Sequence, residues 1–330
     1  MTKPELGRGE RVLPGLFRLR LPLPWPGVPH CNAWAIRAGD GLVLVDCGMD
    51  QVGSLAQLEY AMAQVGLSLD QVEQLVVTHA HSDHWGQAAP VIARSGAPLW
   101  MHPNVEHALA DSGDRETAAA HRFEIGRQGG VSERGLRDFL ERARDMPSGV
   151  AEIVTADHAL VNGVTIDTDL GLLHVHETPG HAPSHVSLFA PEHRLLISGD
   201  HLLGRVSPYF DFGWTPDPVS EFLASLDVVE VLDARLCVSG HGRPFTDVQA
   251  HVRGNRELIA ERLRASLAGL LDMPLTALEL APAIYGQPLT PVTAGWRLSE
   301  TLSYLTHLES RGQVTRERDG PDGAERWRTV

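Results

Sequence analysis

The chain has 330 residues and a formal net charge of −14. That length suffices for a large core plus a small second unit, and the acidic balance argues against passive electrostatic attraction to nucleic acid or anionic lipid. No apolar run reaches the ~20 residues of a membrane span, and the start MTKPELGRGE lacks an apolar leader, so the expectation is a cytoplasmic protein with no membrane partner.

Residues 1–40 read as opening strands joined by a proline-rich stretch, Pro22 to Pro29, with His30-Cys31-Asn32 after it. Cys31, Cys47 and Cys237 are far apart, odd in number and not in C-x-x-C spacing, so buried, reduced thiols are expected. Residues 51–66 place Leu55, Leu58, Met62 and Val65 on one helical face. The apolar stretch Gln74-Leu75-Val76-Val77 then reads as a short buried strand. It leads into Thr78-His79-Ala80-His81-Ser82-Asp83-His84-Trp85-Gly86, where His79, His81, Asp83 and His84 bring metal-binding side chains together on a loop at a strand's carboxyl end. Imidazole suits zinc, iron or copper, and a carboxylate adds charge and a second donor type.

Residues 103–150 predict two or three charged helical segments interrupted by Gly129-Gly130. His107, His121 and Phe123 could line a pocket there, with solvated helix face the expectation for any one of them, and His102 is read as packed. His174 and His176 alternate along one strand, facing one side, where a supporting hydrogen bond is the expected role. Three further donors each follow a short apolar run and a glycine: His181 after Gly180, Asp200 after Gly199, and His241 after Gly240. Glycine permits the tight turn and close backbone approach that a converging ligand needs. His201 and Tyr209 are candidates for substrate contact, Tyr209 as a hydrogen-bond donor to an oxyanion. The chain's only lysine is Lys3, which leaves no lysine chemistry.

Residues 255–271 form an amphipathic helix, a second is expected around 275–285, and Leu298, Leu302, Leu305 and Leu308 mark the face of a third. Strand-like runs Gln313 to Arg318 and Glu325 to Thr329 flank Asp319-Gly320-Pro321-Asp322-Gly323, a hairpin by its turn chemistry. Three helices and a hairpin resemble a winged helix. Residues 251–330 carry ten Arg, no Lys and ten Asp plus Glu, so this segment is neutral and lacks the basic face of a nucleic-acid reader.

In the order of its donor motifs the chain resembles the metallo-β-lactamase-fold hydrolase superfamily over roughly residues 10 to 250, and Asp46-Cys47-Gly48 matches an early structural turn of that family. The resemblance implies an α/β architecture, a four-layer αβ/βα sandwich over residues 1–250 with a helical insertion at about 103–150 that roofs the site. A small winged-helix-like α+β domain would follow over 251–330. Carried over by position, His79, His81 and His181 would hold one metal, Asp83, His84 and His241 the other, and Asp200 would bridge them. Two divalent ions, zinc first and manganese or iron as alternatives, would share a water and lower its pKa towards neutrality. Asp83 would then be both a ligand and a proton acceptor.

An acidic bridge at Asp200 points away from antibiotic hydrolysis and towards the glyoxalase II, lactonase and nuclease branches. His185 and the second unit resemble the β-lactamase-like protein 2 branch, which pairs the same two parts. The expected activity is therefore hydrolysis of a small ester, thioester or lactone by a metal-bridging hydroxide. The alternatives are a metal-dependent single-stranded endoribonuclease, a mononuclear iron persulfide dioxygenase and a DNA-binding regulator. For the neutral second unit, packing on the catalytic domain or homodimerisation is favoured over nucleic-acid binding.

Overall fold

The computed structural model describes residues 6–112, 115–143, 147–290, 293–318, 320 and 323–330. Seven strands form the first sheet in sequence order: β1 (Arg8–Leu13), β2 (Leu16–Trp25), β3 (Val28–Ala38), β4 (Gly41–Val45), β5 (Val72–Val77), β6 (Leu99–Met101) and β7 (His158–Ala159). It is antiparallel as far as β4 and parallel beyond. A second sheet, in the order β12-β11-β10-β9-β8, uses β8 (Thr165–Ile166), β9 (Leu173–Glu177), β10 (Val186–Ala190), β11 (Leu195–Ile197) and β12 (Leu236–Val238).

Three cores separate four layers. On β4 every residue is buried, with Leu42 and Leu44 facing one core and Val43 and Val45 the next, as strand alternation requires. The first core lies under helices α1 (Ser54–Ala63), α2 (Ser82–Trp85) and α3 (Ala88–Ser95). The second lies between the sheets, where Trp34, Ile36 and Val76 meet Val175, Leu188 and Ile197. The third joins Phe189 and Leu196 of the second sheet to the helices α7 (Pro218–Glu230) and α8 (Val248–Gly269) through Phe222, Leu226, Val252 and Ile259. This is the αβ/βα sandwich expected from the sequence.

The proline-rich stretch is not a connector. Pro22 and Pro24 lie within β2 and Pro29 within β3, and the turn between them is Pro26-Gly27. The pairing of β1 with β2 runs from Arg8↔Arg20 inward, so among the described residues the edge of β2 beyond Arg20 is unpaired and a missing N–H there costs no ladder bond.

The insertion consists of α4 (Glu106–Ser112), α5 (Arg115–Gln128) and α6 (Glu133–Ala143), with Gly129-Gly130 breaking the chain between the last two, as expected. A Cβ on Gly129 would stand 2.5 Å from Leu298 Cδ1 and one on Gly130 2.6 Å from Thr276 Cβ, so the glycine pair lets the insertion press against the carboxyl-terminal segment. That segment follows α7 (Pro218–Glu230) and comprises α8 (Val248–Gly269), α9 (Ala277–Tyr285), α10 (Ala294–Ser310) and the hairpin β13 (Val314–Arg318) and β14 (Glu325–Thr329). Of the expected turn residues, Asp319, Pro321 and Asp322 lie outside the described residues.

Leu298, Leu302, Leu305 and Leu308 face a fourth core with Leu280, Val314 and Trp327. Helix α8 begins earlier than its periodicity suggests, at an Asp247 N-cap whose side chain accepts from Ala250 N–H. It therefore runs unbroken through residue 250. Val252 and Ile259 serve the third core and Leu270 the fourth.

Trp327 is fully buried, and its backbone exchanges hydrogen bonds with Leu275 at 2.8 and 3.0 Å. Trp327→Ala should cost about 3–5 kcal/mol by removing a large core side chain, read as a lower denaturant midpoint in equilibrium unfolding.

Candidate metal centre

The site is built where β4, β5, β11 and β12 end. Asp46 follows β4 with φ 61°, a left-handed conformation that aspartate tolerates better than most residues. Its Oδ1 accepts from Thr78 N–H at 2.8 Å, and its Oδ2 from Thr78 Oγ1 at 2.9 Å and His84 Nδ1 at 2.8 Å. With its own proton donated to Asp46, Thr78 Oγ1 accepts from His79 Nδ1 at 3.1 Å. Both imidazoles are thereby held with Nδ1 protonated and Nε2 directed inward. Asp46, read from sequence only as a turn, is the residue that aims them.

The other donors are fixed in the same manner. His241 Nδ1 donates to His30 O at 2.9 Å, leaving Nε2 3.1 Å from Asp200 Oδ2 and 3.2 Å from Asp83 Oδ2. Asp200 Oδ1 lies 3.6 Å from His84 Nε2, and Asp200 Oδ2 3.8 Å from His181 Nε2. His185 donates from Nδ1 to Thr178 Oγ1 at 2.9 Å and accepts the Asp200 backbone N–H at Nε2, 3.0 Å away. It therefore supports the backbone of Asp200. Gly240 is required by closeness, since a Cβ there would stand 2.1 Å from Asp200 Oδ1 and 2.5 Å from His84 Cε1.

All seven sequence-predicted donors thus converge. His79, His81 and His181 form one group whose donor atoms lie within 4.8 Å of one another, and Asp83, His84 and His241 form another, while Asp200 joins His79 and His84 in a third. These groups fit divalent ions. His79 Nε2, Asp83 Oδ2, His84 Nε2 and Asp200 Oδ1 are buried without a hydrogen-bond partner among the described residues. Such atoms are costly to bury unless something answers them. His181 Nε2 and His81 Nδ1 face each other at 3.1 Å, close to the about 3.3 Å separation of two imidazole nitrogens on one tetrahedral ion.

The electrostatics have the same source. Burial pulls His79 and His185 well below the ordinary histidine value and His181 down to about 3, and neighbouring imidazoles add to each shift. In His84 and His241 burial acts downwards too, but the carboxylates outweigh it. Asp83, Asp200 and Asp46 hold His84 well above its usual value, and Asp200 and Asp83 hold His241 at about 10. Burial works against the Asp200 carboxylate, but His241 and His84 keep it well below the usual range.

Three more residues reach the site. Asp211 Oδ2 accepts from His81 Nε2 at 3.3 Å, which turns His81 Nδ1 inward. The Asp211 peptide is anchored by its N–H to His181 O at 3.2 Å. Ser299 of α10 holds both sides of it, donating to Phe210 O at 3.0 Å and accepting from Phe212 N–H at 3.3 Å. His107 is 2% exposed, with its ring 5.9 Å from that of His81 and Nε2 3.3 Å from Ser184 Oγ. Its reading as solvated helix face is overturned: α4 lays it over the donors. His121 likewise stacks on Trp214 at 4.4 Å.

Tyr209 stands over the group, its ring 5.7 Å from that of His181 and 6.5 Å from that of His81. His201 lies beneath it instead, 1% exposed with its ring 4.5 Å from that of Phe222, and has no surface to offer a substrate. Burial, with His174 adding to it, lowers the pKa of His176. His102 bonds Glu177 at 3.1 Å. Cys31, Cys47 and Cys237 are free and buried, and burial raises all three thiols, Cys237 to about 12. Among the described residues no helix is long and apolar enough to cross a membrane.

Four layers, and donors gathered at the strand ends, define a class. The sequence model of the metallo-beta-lactamase superfamily matches residues 26–241. The chain belongs to that superfamily and is a metal-dependent hydrolase of it. Similarity extends over nearly the whole chain to a metallo-beta-lactamase family protein of Thermus thermophilus, with a TM-score of 0.82 and 28% identity over 97% of this chain and all of that one. A beta-lactamase domain protein from Burkholderia ambifaria gives a TM-score of 0.80 at 26% identity, covering 100% and 95% of the two chains. Among curated proteins, the probable metallo-hydrolase YqjP of Bacillus subtilis (strain 168) is 26% identical over 328 residues, 91% of this chain and 94% of that one.

The carboxylates hold His241 at about 10, so in the metal-free chain its Nε2 keeps a proton at pH 7 that an incoming ion must displace. Loading should release protons at pH 7, about one of them from His241, measured by calorimetry in buffers of different ionisation enthalpy. Because the His241 value is raised, the stability it lends the metal-free chain is complete below about pH 6.5. It is lost as pH climbs through about 10, so the melting temperature of chelated protein should fall across that window.

Proposed function

We propose that the chain is a dinuclear hydrolase of a small ester, thioester or lactone. His79, His81 and His181 hold one ion, Asp83, His84 and His241 the other, and Asp200 is shared between them. The observation that carries this reading is the position of Asp200, whose two oxygens lie 3.1–3.8 Å from His84, His181 and His241, members of both triads. Zinc suits the imidazole-rich set, and manganese or iron suits it also. Bound ions would supply Lewis acidity and a water of lowered pKa.

The chain's own groups have distinct tasks. Asp46, Asp211 and the His30 carbonyl orient imidazoles, and His185 holds the Asp200 backbone. Asp83 is the group placed to accept a proton, its Oδ2 being buried and without a hydrogen-bond partner among the described residues. Tyr209 offers a hydroxyl to a developing oxyanion, and His107 and Trp214 wall the approach.

The winged-helix-like unit over 251–330, as paired in the β-lactamase-like protein 2 branch, serves in this reading as a structural roof. Four of the arginines on its hairpin are already answered by carboxylates: Arg316 by Glu309 and Glu325, Arg318 by Glu325, Arg326 by Glu279 and Arg328 by Glu317. A hairpin neutralised in this way is a poor phosphate-backbone reader, which weighs against the endoribonuclease and DNA-binding readings.

The test is metal content by elemental analysis together with turnover of an activated thioester, an aryl ester and a single-stranded RNA. Two ions with ester or thioester turnover are expected. RNA cleavage would instead make the second unit a substrate platform, and one iron without hydrolysis would move the chain to the dioxygenase chemistry. Asp200→Ala should abolish hydrolysis with the fold intact by circular dichroism, and full turnover with two bound metals would refute the assignment. His185→Ala should cost far less, since it removes a support for Asp200 rather than a donor.

A further inference from the structure

Strand β2 breaks its apolar pattern where it approaches the metal centre. Leu16 on one face packs in the core between the sheets, and strand alternation puts Arg18 next on that face. Arg18 is 4% exposed, and burial lowers its pKa. Its ion-pair partner Glu10, at 2.8 Å, is 43% exposed. A guanidinium taken out of water gains little stability from such a pair. Residues that break a local pattern at a cost are expected where a site is built.

The guanidinium is spent on one loop and its supports. Nη1 takes Glu10, Nε donates to Asn32 Oδ1 at 2.8 Å, and Nη2 donates to His30 Nε2 at 3.2 Å and to Gly242 O. Asn32, on β3 and 1% exposed, extends the grip. Its Nδ2 donates to Ser239 O at 2.8 Å and Gly242 O at 3.1 Å, and its backbone N–H to Gly240 O at 2.7 Å. Trp34 Nε1 adds a bond to Ser239 O at 3.3 Å, and Ser239 Oγ closes on His241 O at 2.6 Å. All four carbonyls from Ser239 to Gly242 are thus answered, while His30 O holds the His241 ring from behind. Residues 239–242 belong to no helix or strand, so their position rests on these bonds.

We propose that Arg18 is a positioning residue of the metal centre. Through Asn32, His30 and Gly242 it fixes the loop that aims His241 Nε2, and so sets the affinity of the ion held by Asp83, His84 and His241. The choice of ion rests on the dinuclear reading above. A lysine would keep the charge but not the planar fork that reaches three partners at once.

The test is zinc uptake by the chelated, full-length protein in competition with a chromophoric chelator, which resolves the two dissociation constants. Arg18→Lys should weaken one ion about tenfold or more and move the other far less. In a His241→Ala background Arg18→Lys should cause no further loss, because the residue acts through that imidazole. Asn32→Ala cuts the side-chain bonds and leaves the backbone bond to Gly240 O. It should reproduce the selective loss, and it keeps the test decisive if Arg18→Lys does not fold.

A purely structural Arg18 gives a different pattern. The melting temperature would drop while both affinities stayed unchanged, or both ions would loosen alike and the loss would recur in the His241→Ala background. Either result would overturn the assignment. A wild type that binds a single ion would overturn the dinuclear reading alone, and the same cycle, read on that ion, would still decide for or against Arg18.

Discussion

Two of the inward-facing imidazoles take their direction from one buried carboxylate, since Asp46 accepts from Thr78 N–H, Thr78 Oγ1 and His84 Nδ1 at 2.8–2.9 Å. With both protons of that network committed, His79 and His84 have only their Nε2 lone pairs left to present. The remaining donors must then close around the same point, and each is held from behind by a different segment: His81 by Asp211, His241 by His30 O, and Asp200 by His185. The centre gathers imidazole and carboxylate groups that are each fixed from behind, which is what a metal cage requires of its frame.

The layered architecture explains how segments so distant in sequence meet. The parallel strands β4 and β5 end at the same level in the first sheet and β11 and β12 in the second. Loops leaving them face one another across the core that joins the sheets, as in open α/β folds where ligands sit at carboxyl strand ends. The insertion and the carboxyl-terminal segment then cover this edge, packed on each other through the glycine pair at 129–130 and on residues 210–217 through α10.

The donors were legible in the sequence because each depends on local features. A buried apolar run, a turn and a donor lie within a few residues, and that is sufficient at His79, His181, Asp200 and His241. Asp46 carries the same signature after β4, yet its support of His84 arises only from the parallel pairing with β5. Asp211 and His107 offer no local signal, because they are brought in by the docking of a loop and a helical insertion. The early start of α8 was hidden by Gly254, a poor helix former, in the stretch before the clear periodicity at Asn255. The prolines of β2 and β3 concealed strands because a free edge is a tertiary property.

Ser299 bonds to the peptide groups on either side of Asp211 with a single hydroxyl, while Asp211 itself steadies His81. Helix α10 is thus geared to a metal loop more than two hundred residues earlier in the chain. The helix whose other face closes the fourth core therefore also helps to hold the His81 ring, so the packing of the carboxyl-terminal segment and the aim of one donor meet at a single hydroxyl.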